Sequence, residues 1–248
     1  MGRCRFQMFG LALLAIATSG SLSFAQDPDT AAAVAPAATR SAIGEAVAPF
    51  LLRLVALEDP ASRKALAESA VRDWEGLEKS GTLSERMRLI AAIGALARRS
   101  SPVDSFREGY GSRSQAMLKR AVKEAPQDAW VRAMYGLWHL EAIRRGGGAA
   151  SAILGASERE GLAALDAAFV AAPDDPALRF AAAVSLFALS PQMHASTALQ
   201  HMDRAEVLLR DPAHAADAAI LLPRIAELKS KFQAGNLAAL KEFAVELM

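Results

Sequence analysis

From Ser41 onward, apolar residues recur three and four positions apart, the period that lines one face of a helix. SAIGEAVAPFLLRLVAL is apolar on most sides, and Pro49 within it predicts a bend or a fresh turn. Asp59-Pro60 predicts a stop and restart, because proline lacks the N–H that a first helical turn leaves unpaired in any case. Leu66, Ala70, Trp74 and Leu77 share a face, as do Met87, Ile90, Ile93 and Leu96. Thr82 and Glu85, ahead of the second set, have the spacing of a capping box. That helix closes in ARRSSP, with cations where the helix dipole is negative and Pro102 beyond. SPVDSFREGYGS reads as the following loop.

Further on, AMLKRAVKEAP, GLAALDAAFVAAP and ALQHMDRAEVLLRDP each place a small residue shortly before a proline: Ala121 and Pro126, Ala168 and Pro173, Ala205 and Pro212. A new amphipathic helix follows each of the first two prolines within a few residues. Helix pairs that recur in this way cannot bury an apolar face alone and must stack on their neighbours. Gly136 lies ten residues after Pro126, and Ala183 ten after Pro173. Gly161 and Ala168 precede Pro173 at two close-packing positions, with Leu165 between them. These residues resemble the tetratricopeptide repeat family, in which small residues recur at the eighth, twentieth and twenty-seventh positions and proline at the thirty-second. The resemblance covers about residues 111–210 and implies an all-α fold of antiparallel helix pairs stacked as a short α-solenoid, with residues 41–101 and the last two helical segments as atypical flanks.

The chain departs from that family in two ways. Its proline spacings are 47 and 39 residues, against about 34 for the repeat, and most of the first excess lies in IRRGGGAASAILGAS, between the two helices of one unit. The large aromatic usual at the fourth position is replaced by Arg132 and Arg179.

Composition supports helices: 52% of residues are apolar and only 6% aromatic, so small contact residues dominate. The N-terminus is of another kind. MGRCR is basic, FGLALLAIA is apolar, and Ser23 and Ala25 are small, which together predict a secretory signal cleaved near Ala25 and a periplasmic or secreted protein. The apolar run is too short for a membrane span, so no stable membrane insertion is expected after cleavage. QDPDTAAAVAPAATR, residues 26–40, reads as a flexible tether, and residues 41–248 as the folded domain. Cys4, the single cysteine, precedes the apolar run, and removing Arg3 and Arg5 takes the formal charge from +1 to −1. A near-neutral chain has no field to attract nucleic acid.

Catalytic motifs are not found, no cofactor is implied, and an enzyme is not expected. The four histidines, His139, His194, His201 and His214, lack helix-mounted metal spacing. Met193, His194, His201 and Met202 carry ligand types that suit copper, but Pro191 predicts that the first two lie in a loop, and no metal site is assigned. RRGGGAAS lacks the Lys-Ser/Thr of a phosphate loop and reads as a flexible or C-capping turn.

The repeat resemblance implies a concave face lined by Trp130, Ala133, Met134, Leu137 and Glu141 and by Ala177, Phe180, Ala181, Val184 and Phe187. Family members that clamp a peptide carboxylate use Lys and Asn at such positions; here they are apolar. The expectation is a scaffold or adaptor that binds a partner protein segment in an apolar groove, unless the chain's own flanking helices fill it. A second reading is a periplasmic small-molecule binder of the kind that accompanies some solute transporters, in which residues 146–157 form a lid or pore wall.

Overall fold

The computed structural model describes residues 40–248; the predicted signal segment and residues 26–39 of the tether lie outside them. Among the described residues there are twelve α-helices and no strand. Local chemistry sets most helix starts. Ser41 caps α1 (Ala42–Ala56) by accepting from Gly44 N, and α1 carries Pro49 in its interior. Asp59 caps α2 (Pro60–Trp74) by accepting from Ala61 N and Ser62 N. A single turn, α3 (Leu77–Ser80), leads to α4 (Leu83–Arg99), where Thr82 and Glu85 complete the capping box in both directions. Leu77 therefore belongs to a separate element from Leu66, Ala70 and Trp74.

The segment expected as a loop after α4 is instead a short helix, α5 (Pro102–Arg107), capped by Ser101. Gly109, at φ 66°, then turns the chain into α6 (Tyr110–Glu124). The glycine-rich segment is a second correction. α7 runs from Ala129 to Leu154, with one non-helical residue, Gly147 (φ 51°, ψ −132°). The residues read as a turn are thus mostly helix, broken at a single glycine and ended by Gly155 at φ 62°. α8 (Glu158–Ala171), α9 (Pro176–Leu189), α10 (Pro191–Leu208), a 3₁₀ turn at Pro212–His214, α11 (Ala215–Gln233) and α12 (Leu237–Leu247) complete the chain.

The sequence repetition is also a repetition of backbone. Ala125, after α6, has φ −137° and ψ 69°; Ala172, after α8, has φ −137° and ψ 77°. Immediately ahead of the next helix, Asp128 and Asp175 each cap it through two main-chain N–H groups, worth about 1 kcal/mol apiece. The two arginines that break the family pattern do the same work in both units. Arg132 Nε donates to Pro126 O at 2.5 Å, and Arg179 Nη2 to Pro173 O at 3.2 Å, each tying the connecting turn to the helix it feeds.

Small residues let the helix axes approach. Gly136 of α7 lies against Gly161 and Leu165 of α8, and Leu140 lies against Gly161, so the two helices run antiparallel. A Cβ at Gly136 would lie 2.7 Å from the main-chain oxygen of Gly161. Ala121, Ala168 and Ala205 are likewise buried, at 2%, 0% and 0% exposure.

α12 packs on α9, while α1 packs on α4 and α11 and faces α9 across a small void; Val47, Leu54, Phe187 and Leu240 form part of one core. A buried polar knot anchors this arrangement. Asp175, the cap of α9, accepts from Trp130 Nε1 of α7 at 2.9 Å and pairs with Arg40 Nε at 3.2 Å. Arg40 also pairs with Asp217 of α11. The residue assigned to the end of the tether is therefore fixed in place. Burial alone would lower the Arg40 pKa, but its bonds to Asp217 and Asp175 raise it, so the guanidinium stays charged. Gly44 of α1 sits against the Trp130 indole, where a Cβ would collide with the ring.

Two stability predictions follow from these contacts. Gly136→Ala gains helix propensity of about 1 kcal/mol but overpacks a backbone contact, at about 1–3 kcal/mol. Its melting temperature should fall by up to about 8 °C. Gly161→Ala should lose less, because its nearest obstacle is the movable end of Leu140; a Gly136→Ala protein as stable as wild type contradicts the close approach. Arg40→Met leaves Asp175 and Asp217 facing each other without a cation, and breaking such a buried pair costs about 3–5 kcal/mol. Thermal unfolding should then drop by about 6–20 °C, and a change within error would refute the anchoring role.

Candidate functional site

The residues expected to line a groove divide into two groups. Trp130 (2% exposed), Phe180 (4%), Val184 (2%) and Phe187 (0%) are closed over by the chain's own helices. Ala133 is also buried. Between α9 and the covering helices α1, α11 and α12, a void of about 80 Å³ remains, with Trp130, Ala177, Phe180, Ala181 and Val184 on its wall. Met134, Leu137 and Glu141, further along α7, face something different. They line an open cavity of about 590 Å³ enclosed by α4, α5, α6 and both parts of α7.

Each wall of that cavity has a local cause. α4 contributes Ile90, Ala91 and Gly94 on one face. A glycine inside a helix costs about 1 kcal/mol relative to alanine, and a Cβ at Gly94 would meet nothing within 4 Å. The open space, not a packing neighbour, is what this glycine faces. α6 contributes Tyr110, Gln115 and Leu118. The second part of α7 swings back past Gly147, bringing Ala150, Ile153 and Leu154 to the opposite side. Gln115 Nε2 donates to Leu154 O, and Trp138 Nε1 donates to Gly111 O at 3.1 Å, so both parts of α7 are tied to α6.

At the mouth, Phe106 of α5 and Ile153 of α7 line the opening yet are 75% and 66% exposed. Val103, one turn from Phe106, is 73% exposed. Phe106 and Ile153 are thus left in water at the opening, and Val103 is exposed on the same short helix as Phe106.

A polar corner closes the inner end. Arg145 donates to Arg98 O (3.1 Å), Ser100 O (2.9 Å) and Ser105 Oγ (3.3 Å), capping the C-terminus of α4 and joining it to α5. Glu141 is held in a two-point fork by Arg144, with both bonds at 2.7 Å. Arg98 donates from Nη1 to the main-chain oxygen of Met248 at 3.0 Å, while its Nε is buried without a partner. Burial lowers the pKa of Arg98, Glu141 partly offsets this, and Arg144 and Arg145 add to the lowering. Arg99, beside them, is pushed down to about 10 by burial and by Arg98 and Arg63.

The histidine–methionine set does not gather. Met193 and His194 lie in the first turn of α10, not in a loop. His194 and His201 are seven residues apart on that helix, a rise of about 10 Å, too far for one ion. His194 Nε2 faces Glu158 at 3.2 Å, Met193 is exposed, and Met202 is fully buried. His201 stacks on Phe169 at 4.5 Å, with Arg179 Nη1 3.3 Å from its Nδ1. A guanidinium only donates, so Nδ1 accepts and the ring is neutral. His139 is buried, accepting at Nδ1 from Ser157 N at 3.1 Å and meeting Tyr135 and Trp138 edge-on. Among the described residues no cluster of three His, Cys, Asp or Glu side chains is placed to hold a metal ion.

Compared with protein-family models, curated proteins and solved structures, the chain matches none.

Of the cavity residues, sequence reasoning reached Met134, Leu137 and Glu141 and missed Gly94, Arg98, Phe106, Gln115 and Arg145. Gly94 in a strongly periodic helix and the Val103–Phe106 pair in a polar segment are the signals that mark them.

His201 supplies a pH prediction. Burial, and then the Arg179 cation, hold its pKa down from 6.5 to about 4. Between those values the unfolded chain takes up a proton that the folded chain refuses, so stability falls as pH drops from 6.5 toward 4 and levels off below. In His201→Gln this part of the loss is absent. Melting temperatures measured across the window should therefore decline less steeply in the variant than in wild type; parallel curves would refute the assignment.

Proposed function

We propose that this chain is an exported binding protein, not an enzyme, that holds an apolar small molecule in the cavity between α4, α5, α6 and α7. Export is supported by the basic, apolar and small-residue regions of the first twenty-five residues. A tetratricopeptide-like arrangement is supported by the two equivalent turns at Pro126 and Pro173, the antiparallel α7/α8 pair with its Gly136–Gly161 approach, and the packing of α7 on α9. Among the described residues no helix is long and apolar enough to cross a membrane.

The observation that carries the reading is the cavity itself. Its volume of about 590 Å³ falls within the range of about 300–1,000 Å³ typical of small-molecule sites. It is walled mainly by apolar side chains, with Arg98, Glu141 and Arg145 as its charged groups. Of the two roles weighed for residues 146–157, the pore wall agrees with the position of Ala150, Ile153 and Leu154.

A second reading, a scaffold for a partner protein segment, draws on the exposed side chains of Val103, Phe106 and Ile153. A surface of that kind is a liability unless something covers it at times. The groove expected along α7 and α9 is less available to such a partner, because α1 and α12 lie over Phe180, Val184 and Phe187.

Gly94→Leu separates the two readings, since the new side chain enters open space and restores helix propensity. The neutral dye N-phenylnaphthylamine should bind the wild-type protein, with its fluorescence enhanced. Gly94→Leu should weaken binding by roughly fivefold to a hundredfold, as overpacking of about 1–3 kcal/mol implies, with unchanged or higher thermal stability. Dye affinity that survives Gly94→Leu but is lost in Phe106→Ser would move the site to the rim and favour the partner-segment reading.

A further inference from the structure

The polar corner of the cavity carries more positive charge than the fold consumes. Arg98 and Arg145 are the two cations on the cavity wall and Glu141 the single carboxylate. Glu141 is already matched by the fork from Arg144, which lies behind the wall. Among the described residues Arg98, Arg99 and Arg145 pair with no side-chain carboxylate; Arg98 and Arg99 instead donate to an oxygen of Met248, the last residue, which leaves Arg145 as the cation without an anionic partner. Arg145 offsets the partial negative charge at the C-terminus of α4, and three of its five N–H groups are occupied there. The other two are uncommitted. Burial is the main cause that lowers the pKa of Arg98, Arg99 and Arg145, and neighbouring arginines add to it, with Glu141 partly offsetting the effect at Arg98 and Arg145.

We propose that the ligand of this cavity is a carboxylate-bearing amphiphile, its apolar body against Ile90, Leu118, Met134 and Leu137 and its carboxylate at Arg145 beside Arg98. The inference rests on the cavity being the ligand site, as argued above. An apolar body alone fits the walls but leaves the Arg145 charge without a counter-ion. A carboxylate supplies the missing anion and accepts the spare N–H groups. A cationic head group meets Arg98 and Arg145, and finds its one carboxylate already held by Arg144. A hydroxyl head group leaves the excess charge in place.

The test compares dodecanoate, dodecanol and dodecylammonium, each below its micelle concentration in neutral buffer, by displacement of bound N-phenylnaphthylamine from the full purified chain. Dodecanoate should bind about tenfold or more tighter than dodecanol, the scale of a charge-assisted hydrogen bond, and dodecylammonium weakest of the three. Added salt should narrow the gap. In Arg145→Gln the preference for carboxylate should disappear, dodecanoate and dodecanol binding that variant about equally. Arg145→Lys, which keeps the charge, should retain most of the preference and serves in place of the glutamine variant if that protein fails to fold.

Equal affinity of wild type for dodecanoate and dodecanol would overturn the head-group assignment and leave the cavity reading standing. Failure of all three probes to displace the dye would overturn the cavity reading beneath it. A carboxylate preference untouched by both Arg145→Gln and added salt would also overturn the assignment, because the anion would then be recognised elsewhere.

Discussion

Four elements of this fold meet at one buried carboxylate. Asp175 caps α9, takes the indole N–H of Trp130 from α7, and pairs with Arg40 just ahead of α1, which in turn reaches Asp217 on α11. Two acids share one guanidinium away from bulk water, so the cluster is stable only when its members are present together and aligned. Directional bonds of this kind fix where α1 lies in a way that apolar contact alone does not. Once α1 lies across Trp130, with Gly44 giving the indole room, the concave side of α7 and α9 is closed by the chain itself.

That closure explains why the cavity lies where it does. Covering helices fill the face near Trp130 and Phe180, whereas α4 and α6 stand off from the second part of α7. The space between them stays open because Gly94 presents no side chain to it and because Gln115 and Trp138 hold the far wall by hydrogen bonds to main-chain oxygens rather than by interdigitated packing. Short α5 then places Phe106 at the entrance, in water. Arg145 joins this entrance to the inner end, since the same guanidinium reaches both Ser100 O of α4 and Ser105 Oγ of α5.

Features encoded within one turn of helix were legible in the sequence. The Thr82–Glu85 box, the Asp59-Pro60 restart and the equivalence of Ala121–Pro126 with Ala168–Pro173 all concern neighbours one to five residues apart, and each has the expected local geometry. Arg132 and Arg179 looked like departures from a repeat pattern, yet both hold the turn before their helix, so the departure is itself repeated. What eluded the sequence were contacts between distant positions. Arg40 carries no local mark that separates it from a flexible tether, because its partners lie 135 and 177 residues away. Phe187 looked available for the same reason: its cover comes from α12, at the other end of the domain. The glycine-rich stretch misled in another way, since three consecutive glycines suggest a loop, while only Gly147 leaves helical geometry.

Gly147 deserves a last consequence. Side chains other than glycine rarely adopt its positive φ, and everything from Ala149 to Leu154 hangs from it. The position of one wall of the chamber is therefore set by a pair of torsion angles at one backbone joint. Evolution or engineering can resize such a chamber by altering how far a rigid rod is bent, leaving every wall residue as it was.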